Sequence, residues 1–257
     1  MLRAIISDIH SNVEALDAVL ADVARRKVES IVCLGDVIGY GPQPRETLKR
    51  STEWEITLLG NHEEACMFHP EDFNERARIA LEWTRDQLNS KSASPDDNFK
   101  LWSLIGAMPT QHKIDNALLV HGSPRDPVRE YLLPRDVKNP GKMQDNFRRM
   151  DRPVCFVGHS HVPAVYFEDG RLHRPDGTEG PIDLELDASP GAKRRAIVNV
   201  GSVGQPRDGD PRLSYALFDG ERVSFVRLDY DIPAAAAAIR AVPELPEYLA
   251  ERLAIGR

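Results

Sequence analysis

In the N-terminal half of the chain, short apolar runs alternate with stretches of helical period. Residues 2–7, Leu-Arg-Ala-Ile-Ile-Ser, read as a buried strand. Over residues 12–26, Val13, Leu16, Val19, Leu20 and Val23 recur at 3.6-residue spacing, which predicts a helix capped by Ser11 or Asn12. Residues 30–34 predict a second strand, 44–50 a short helix and 54–59 a third strand. Helical period returns over 74–88, where Ala77, Ala80, Leu81, Thr84 and Leu88 share one face. A polar loop at 90–98 precedes a short helix at 99–105, and residues 113–123 read as a hairpin turning at Asp115-Asn116. The stretch 125–150 is polar and interrupted by prolines, and no element can be assigned to it. Residues 152–158 are again a buried strand.

Beyond that point the pattern is mostly β. Residues 164–174 form a hairpin with Asp169-Gly170 at its turn, and strands follow at 196–200, 214–219 and 222–230. Two helices, 233–241 and 244–253, close the chain. The rhythm predicts an α/β protein with two sheets and flanking helices, as a single domain over residues 1–257.

Composition narrows the function classes. The 257 residues are 41% hydrophobic and 28% charged, with a formal net charge of -7. That length can bury a sizeable core. The only basic clusters singled out, Arg148-Arg149 and Lys193-Arg194-Arg195, are too short for the basic stripe expected of a protein that holds long nucleic acid. A small phosphate ester remains compatible as substrate. Cys33, Cys66 and Cys155 have no C-x-x-C spacing and read as buried free thiols, as expected in a reducing cytoplasm. No apolar run approaches the roughly 18 residues of a membrane helix, so a soluble cytoplasmic protein without membrane partner is expected.

Chemistry collects where the predicted strands end. The first is followed by Asp8 and His10, the second by Asp36, and the third by Asn61, His62 and Glu63. His121 follows the strand of the 113–123 hairpin, and His159 and His161 follow 152–158. Five of the eight histidines are in this set; His69, His112 and His173 lie in polar or turn-like contexts and read as surface residues. Ligands of α/β sheets bind at the carboxyl ends of strands, and uncompensated buried charges there are costly. A cation resolves that cost. The donors outnumber what one catalytic metal takes, so two metals sharing a carboxylate are expected. Mixed nitrogen and oxygen donors suit Mn, Fe, Zn, Ni or Co, with manganese the first choice, and suit Ca poorly.

The order Asp8-Ile9-His10, Gly35-Asp36, Gly60-Asn61-His62-Glu63, His121-Gly122 and Gly158-His159-Ser160-His161 resembles the calcineurin-like metallophosphoesterase superfamily. Asp8 and Asp36 stand 28 residues apart, and Asp36 and Asn61 stand 25 apart, which also fits. The segments 7–16, 33–44 and 200–212 look like a bacterial and archaeal branch of small single-domain members. The resemblance implies a four-layer α/β/β/α sandwich of two sheets. It implies a first metal on Asp8, His10 and His161, a second on Asn61, His121 and His159, and Asp36 bridging both. It also implies that His62 faces the substrate.

One departure stands out. Where the protein phosphatases and dinucleoside tetraphosphatases of the superfamily extend the second block as G-D-x-x-D-R-G, this chain has Gly39 and Tyr40. That branch's phosphate-binding arginine and the aspartate that pairs with its histidine are therefore missing here, and what orients His62 is open. The implied reaction is hydrolysis of a phosphate ester by a hydroxide held between the two cations, with His62 donating to the phosphoryl or leaving oxygen. Diesters, including nucleotide-derived ones, are preferred only by analogy with the branch. A phosphomonoesterase or nucleotidase is the enzymatic alternative, and a non-catalytic scaffold on the same fold the other. Secondary candidates for substrate contact are Asn12, Asn61, Arg207 and Tyr40, with Asn199 and Ser202 in the same C-terminal loop as Arg207.

Overall fold

In the computed structural model the described residues are 1–68, 73–184, 186 and 195–257. Two six-stranded mixed sheets face each other. In the first, β3 (Ile56–Thr57), β2 (Ser30–Cys33) and β1 (Arg3–Ile6) run parallel. Antiparallel β11 (Leu213–Phe218), β12 (Arg222–Leu228) and β9 (Ile182–Asp183) complete it. In the second, β5 (Ala117–Val120), β6 (Val154–Val157) and β10 (Ala196–Asn199) form the parallel centre. β4 (Gln111–Ile114) borders one side, and β7 (Ala164–Phe167) and β8 (Leu172–His173) the other.

Period-2 alternation builds the layers. Along β1, Ile5 points between the sheets while Ala4 and Ile6 point under the helices. Along β6, Val154 and Phe156 face the inter-sheet core, and Cys155 and Val157 the outer side. Both faces are buried, so these strands are continuous apolar runs rather than alternating ones. The helices α1 (Val13–Arg25), α2 (Pro44–Arg50), α4 (Glu75–Leu88) and α5 (Pro95–Gly106) cover the first sheet, and α6 (Pro140–Arg149) the second. This is the four-layer architecture expected. Leu16, Val19 and Val23 of α1, and all five residues expected on one face of α4, are buried.

Some local expectations shift. The third strand is two residues long rather than six. The unassignable stretch contains α6, whose apolar face is only Met143 and Phe147, too sparse to show as a period. Asn61–Met67 is a helix, α3, started by a capping-box contact from Glu63 to Gly60. The chain closes with α7 (Ile232–Arg240) and the short α8 (Tyr248–Glu251), which runs into a 3-10 turn, Arg252–Ile255. Their apolar residues pack together with Ala80 of α4. All three cysteines are free and buried. Among the described residues no helix is long and apolar enough to cross a membrane.

Candidate metal centre

The carboxyl ends of β1, β2, β5 and β6 meet in one place. Asp8, His10, Asp36, His121, His159 and His161 are all buried there. Their donor atoms form two groups that share Asp36: Asp8, His10, Asp36 and His161, and Asp36, His121 and His159. Asn61 joins the second, its Oδ1 lying 3.1 Å from His121 Nε2.

Each imidazole is oriented by a main-chain carbonyl. Nδ1 of His10, His121 and His161 lies against the carbonyls of Ile38, Leu34 and Gln205, at 3.2, 3.1 and 2.5 Å. For His159 the polarity is reversed, with Nε2 lying 3.1 Å from the Arg129 carbonyl. A nitrogen facing a carbonyl carries the proton, so the opposite nitrogen presents a lone pair. Those lone pairs converge: His10 Nε2 is 3.1 Å from His161 Nε2, and His121 Nε2 is 3.2 Å from His159 Nδ1.

The carboxylates divide their oxygens in the same way. Asp8 Oδ2 accepts the His159 N–H at 3.0 Å, while its buried Oδ1 accepts no hydrogen bond and lies 3.2 Å from His161 Nε2. Asp36 Oδ1 accepts the His62 N–H at 2.9 Å. Its Oδ2 lies 3.7 Å from His10 Nε2 and 3.4 Å from His121 Nε2, between the two groups.

The charge state points the same way. Burial pushes His10 and His161 below the usual imidazole range and His159 down to about 3, so all three are neutral lone-pair donors at neutral pH. His121 goes the other way. Burial opposes its charge, but Asp36, first by proximity and then by hydrogen bond, raises it to about 9, so a bound cation would displace a proton before His121 Nε2 offers its lone pair. The cluster therefore draws in a positive charge, and its donor set of imidazoles, carboxylates and an amide oxygen fits two divalent transition metals.

Local backbone conformation aims these side chains. Asp8, His10, Asp36, His159 and His161 have φ between 50° and 63°, and they are five of the nine non-glycine residues with positive φ among the described residues. Each such residue costs about 1–3 kcal/mol, so the strain is concentrated on this cluster. The main chain of one loop supports another: the N–H groups of Asp8 and His10 donate to the carbonyls of Gly35 and Asp36. Glu63 holds the Asp36 loop from below by accepting from the N–H groups of Asp36, Ile38 and Gly60 at 2.9, 3.0 and 3.0 Å. Burial, and then the nearby Asp36, pushes its carboxyl up to about 7.

Glu63 therefore positions Asp36 and does not hold His62. The His62 ring is fixed by packing instead. Tyr40 lies at 4.5 Å, His10 at 4.7 Å and Phe73 at 5.1 Å between ring centroids. Its Nδ1 has no hydrogen-bond partner, and Nε2 lies 4.0 Å from Asp36 Oδ2, facing the centre. Burial pushes this ring down to about 4, and the charge of Arg207 adds to that against Asp36.

Asn12 corrects an expectation. Its Oδ1 caps α1 by accepting the Ala15 N–H at 3.0 Å, and its Nδ2 donates to the Gly204 carbonyl at 2.9 Å. Both polar ends are used, so it is a structural residue rather than a substrate contact. Ser202 donates to the Asp8 carbonyl and accepts from Gln205 N, and Asn199 bridges Gly158, Ser160 and Gly201; both build the loop. Ser160 is buried on that side. Arg207 does reach the centre: its N–H donates to the His161 carbonyl and its guanidinium lies 5.6 Å from the Tyr40 ring centroid.

The remaining candidates lie elsewhere. His112 is exposed, and His173 lies 3.5 Å from Glu179. His69, Lys193 and Arg194 lie outside the described residues. Arg148 pairs with Asp145 and Arg195 with Glu168.

A pocket of about 330 Å³ opens beside Asn61 and His159, walled by Tyr40, Phe73 and Tyr131 with Glu64 and Arg129 at its polar side. Tyr131 stacks on the His159 ring at 3.7 Å and 22°. Sequence reasoning missed Tyr131, Phe73 and Arg129. Tyr131 and Arg129 sit in the stretch without periodicity, where no pattern marks them.

The chain has clear relatives. A family model, the calcineurin-like phosphoesterase superfamily domain, matches residues 1–222. An uncharacterized protein of Methanocaldococcus jannaschii is 36% identical over 99% of this chain and 98% of its own length. The crystal structure of a metallophosphoesterase from Sphaerobacter thermophilus superposes with a TM-score of 0.81 at 39% identity, covering 100% of this chain and 99% of that one. A hypothetical protein of Pyrococcus horikoshii shares the fold, with a TM-score of 0.74 at 19% identity over 100% and 98% of the two chains. The strand-end donors of two facing sheets and these similarities agree, and the chain belongs to the calcineurin-like phosphoesterase superfamily.

Proposed function

We propose that this protein is a phosphodiesterase that hydrolyses small phosphate diesters with two divalent cations, manganese being the first choice. Asp8, His10, Asp36 and His161 would hold the first cation. Asp36, Asn61, His121 and His159 would hold the second. Bound cations supply an activated water and neutralise charge on the phosphoryl oxygens.

The chain's own residues supply the rest. The neutral His62 offers an Nε2–H toward the centre, to hydrogen-bond a phosphoryl oxygen or protonate the leaving oxygen. No acceptor holds a proton on Nδ1, so Nε2 is free to carry it. Tyr40, Phe73 and the centre's buried position exclude bulk water around that transfer.

The observation that carries the diester reading is the wall of the pocket. Tyr40 stands where a phosphate-binding arginine stands in the phosphatase branch. Arg129 in the same pocket is paired with Glu64 at 2.8 Å. The aromatic walls suit the second organic group of a diester, and Arg207 beside Tyr40 is left to meet a single phosphoryl charge.

The test is turnover of bis(p-nitrophenyl) phosphate and p-nitrophenyl phosphate by the purified protein with Mn²⁺. The expected kcat/KM is about tenfold or more higher for the diester. A preference for the monoester makes it a phosphomonoesterase. No turnover of either with metals bound favours a scaffold. His62→Gln should keep both metals and lose roughly 10²–10⁴-fold in kcat.

A further inference from the structure

Residues 122–132, which follow β5, form neither helix nor strand. Main-chain bonds close the segment on itself. Gly122 N–H donates to the Pro127 carbonyl at 2.7 Å, and Ser123 N–H to that of Asp126 at 2.9 Å. Asp126 Oδ1 accepts the N–H groups of Val128 and Arg129 at 3.3 and 3.1 Å.

Glu130 anchors this segment. Its side chain is only 13% exposed. Oε2 accepts from Ser123 Oγ at 2.6 Å and from Asn146 Nδ2 of α6 at 3.1 Å. Arg125 Nε lies 3.1 Å from both carboxylate oxygens, and the same guanidinium donates again to Oε1. The buried Asn146 turns its Oδ1 to the Arg125 N–H at 3.2 Å. Lys142 Nζ, also of α6, donates to the Tyr131 carbonyl at 2.7 Å. Three side chains thus meet one carboxylate, and α6 is tied to the segment on both sides of Arg129.

The two residues that flank Glu130 both end on His159. The Arg129 carbonyl lies 3.1 Å from His159 Nε2, and the Tyr131 ring stacks on the His159 ring at 3.7 Å. The carbonyl keeps the proton on Nε2 and the stack fixes the plane of the ring, so Nδ1 is turned toward His121 Nε2 at 3.2 Å. The Arg129 side chain pairs with Glu64 at 2.8 Å, on the helix that begins with Asn61. One segment therefore starts at His121, reaches His159 twice and braces the helix of Asn61. In the other donor group, His10 and His161 lie against the carbonyls of Ile38 and Gln205, in other loops. Separate parts of the chain support the two groups.

We propose that Glu130 is a positioning residue for the second cation site. It holds the Arg129 carbonyl and the Tyr131 ring against His159, without itself being one of the donors or a wall of the pocket. Its loss weakens the second cation and leaves the first. This rests on the two-cation reading.

Two measurements on metal-free protein test it: calorimetric titration with Mn²⁺, and nitrogen NMR of the imidazoles. Glu130→Gln keeps the size of the side chain but sets an amide against three donors. One of the two Mn²⁺ affinities should fall by about 10–100-fold and the other should stay. In a His159→Ala background the same substitution should leave the remaining affinity unchanged, because the site it serves is already lost. The wild-type His159 ring should show one neutral form, protonated at Nε2. Glu130→Gln should add the Nδ1 form, while the His161 signals stay. Ser123→Ala removes a single donor; it should move both readouts the same way by less, and it stands in if Glu130→Gln does not fold. Glu168→Gln breaks the Arg195 pair beside the start of β10. It is the control for general loss of stability and should match the wild type in both readouts.

Equal Mn²⁺ affinities in wild type and Glu130→Gln overturn the proposal. So does an equal fall at both sites, because Glu130 then acts on the fold as a whole. An effect that persists in the His159→Ala background overturns it too. If the wild type binds fewer than two Mn²⁺, the two-cation reading fails on its own, and the His159 ring signal still decides whether Glu130 holds that ring.

Discussion

Gly39 lies against the ring of His62, and a Cβ built on Gly39 would come within 2.1 Å of His62 Nδ1. The glycine also has a φ of 93°, a conformation side chains rarely adopt. Where other members of the superfamily carry an aspartate, this chain removes the side chain and lets the imidazole close onto the backbone. The orientation of His62 is thus set by shape, with Tyr40 and Phe73 on its other sides. Gly39→Ala should push the ring out of place. The expected result is a loss of about tenfold or more in kcat with both metals retained, checked by steady-state kinetics beside elemental analysis. Unchanged turnover would show that the ring has another support.

His159 and His161 sit two residues apart but belong to different donor groups, with His121 and His10 as their respective neighbours. His159→Ala should lose the second cation preferentially and His161→Ala the first. Metal content should fall toward one per chain in each. Simultaneous loss of both from either variant would mean that the groups do not fill independently. Ser160→Ala should leave metal content intact and cost about 1 kcal/mol of stability, the worth of its hydrogen bond with Asn199.

Glu63 accepts three buried main-chain N–H groups. Glu63→Ala leaves all three without a partner, at about 1–3 kcal/mol each. A large drop in melting temperature is expected, together with weaker metal retention, because the Asp36 loop loses its support. Metal affinity equal to that of the wild type would separate Glu63 from the positioning of Asp36.

Away from the centre, Asp22 of α1 accepts from Tyr215 Oη at 2.5 Å and Arg26 Nε at 2.6 Å, and also pairs with Arg25. Burial opposes its charge, but the Tyr215 hydrogen bond and then those of Arg26 and Arg25 hold its carboxyl below the usual range. The folded value lies below the unfolded one, so this stabilisation is present above about pH 4 and is lost as pH falls through the folded value. Asp22→Asn should therefore destabilise the protein by about 1–3 kcal/mol at pH 7. The gap to the wild type should narrow below pH 4 in urea melts. A gap independent of pH would assign the effect to packing.

The layered fold was legible because its cause is local and repetitive. Apolar strands of four residues and helices with one apolar stripe are visible in the order of the residues. The candidate donors were legible for a related reason: each follows a strand, and strands that run parallel bring their ends to one edge. The structure brings Asp8, His10, Asp36 and His161, and Asp36, His121 and His159, into two groups of donor atoms that share Asp36. Where the pattern is faint, reading failed. The helix α6 has too few apolar positions to show a period, and α3 begins within the Gly60-Asn61-His62-Glu63 motif, whose polar residues give no helical stripe.

The sequence by itself determined the layer order, the strand-end donors and the family, because these depend on side-chain type and spacing along one chain. Only the tertiary structure decided what each polar group does once strands far apart in sequence are adjacent. Asn12 became a helix cap because Gly204 and Ala15 took both of its ends. Glu63 supports Asp36 rather than His62 because its carboxylate meets three N–H groups beneath the loop. Tyr131 reached the His159 ring, and Gly256 came beside Gly209, through contacts between segments that share no local pattern. Such contacts are set by packing of the whole chain, and no short stretch of residues encodes them.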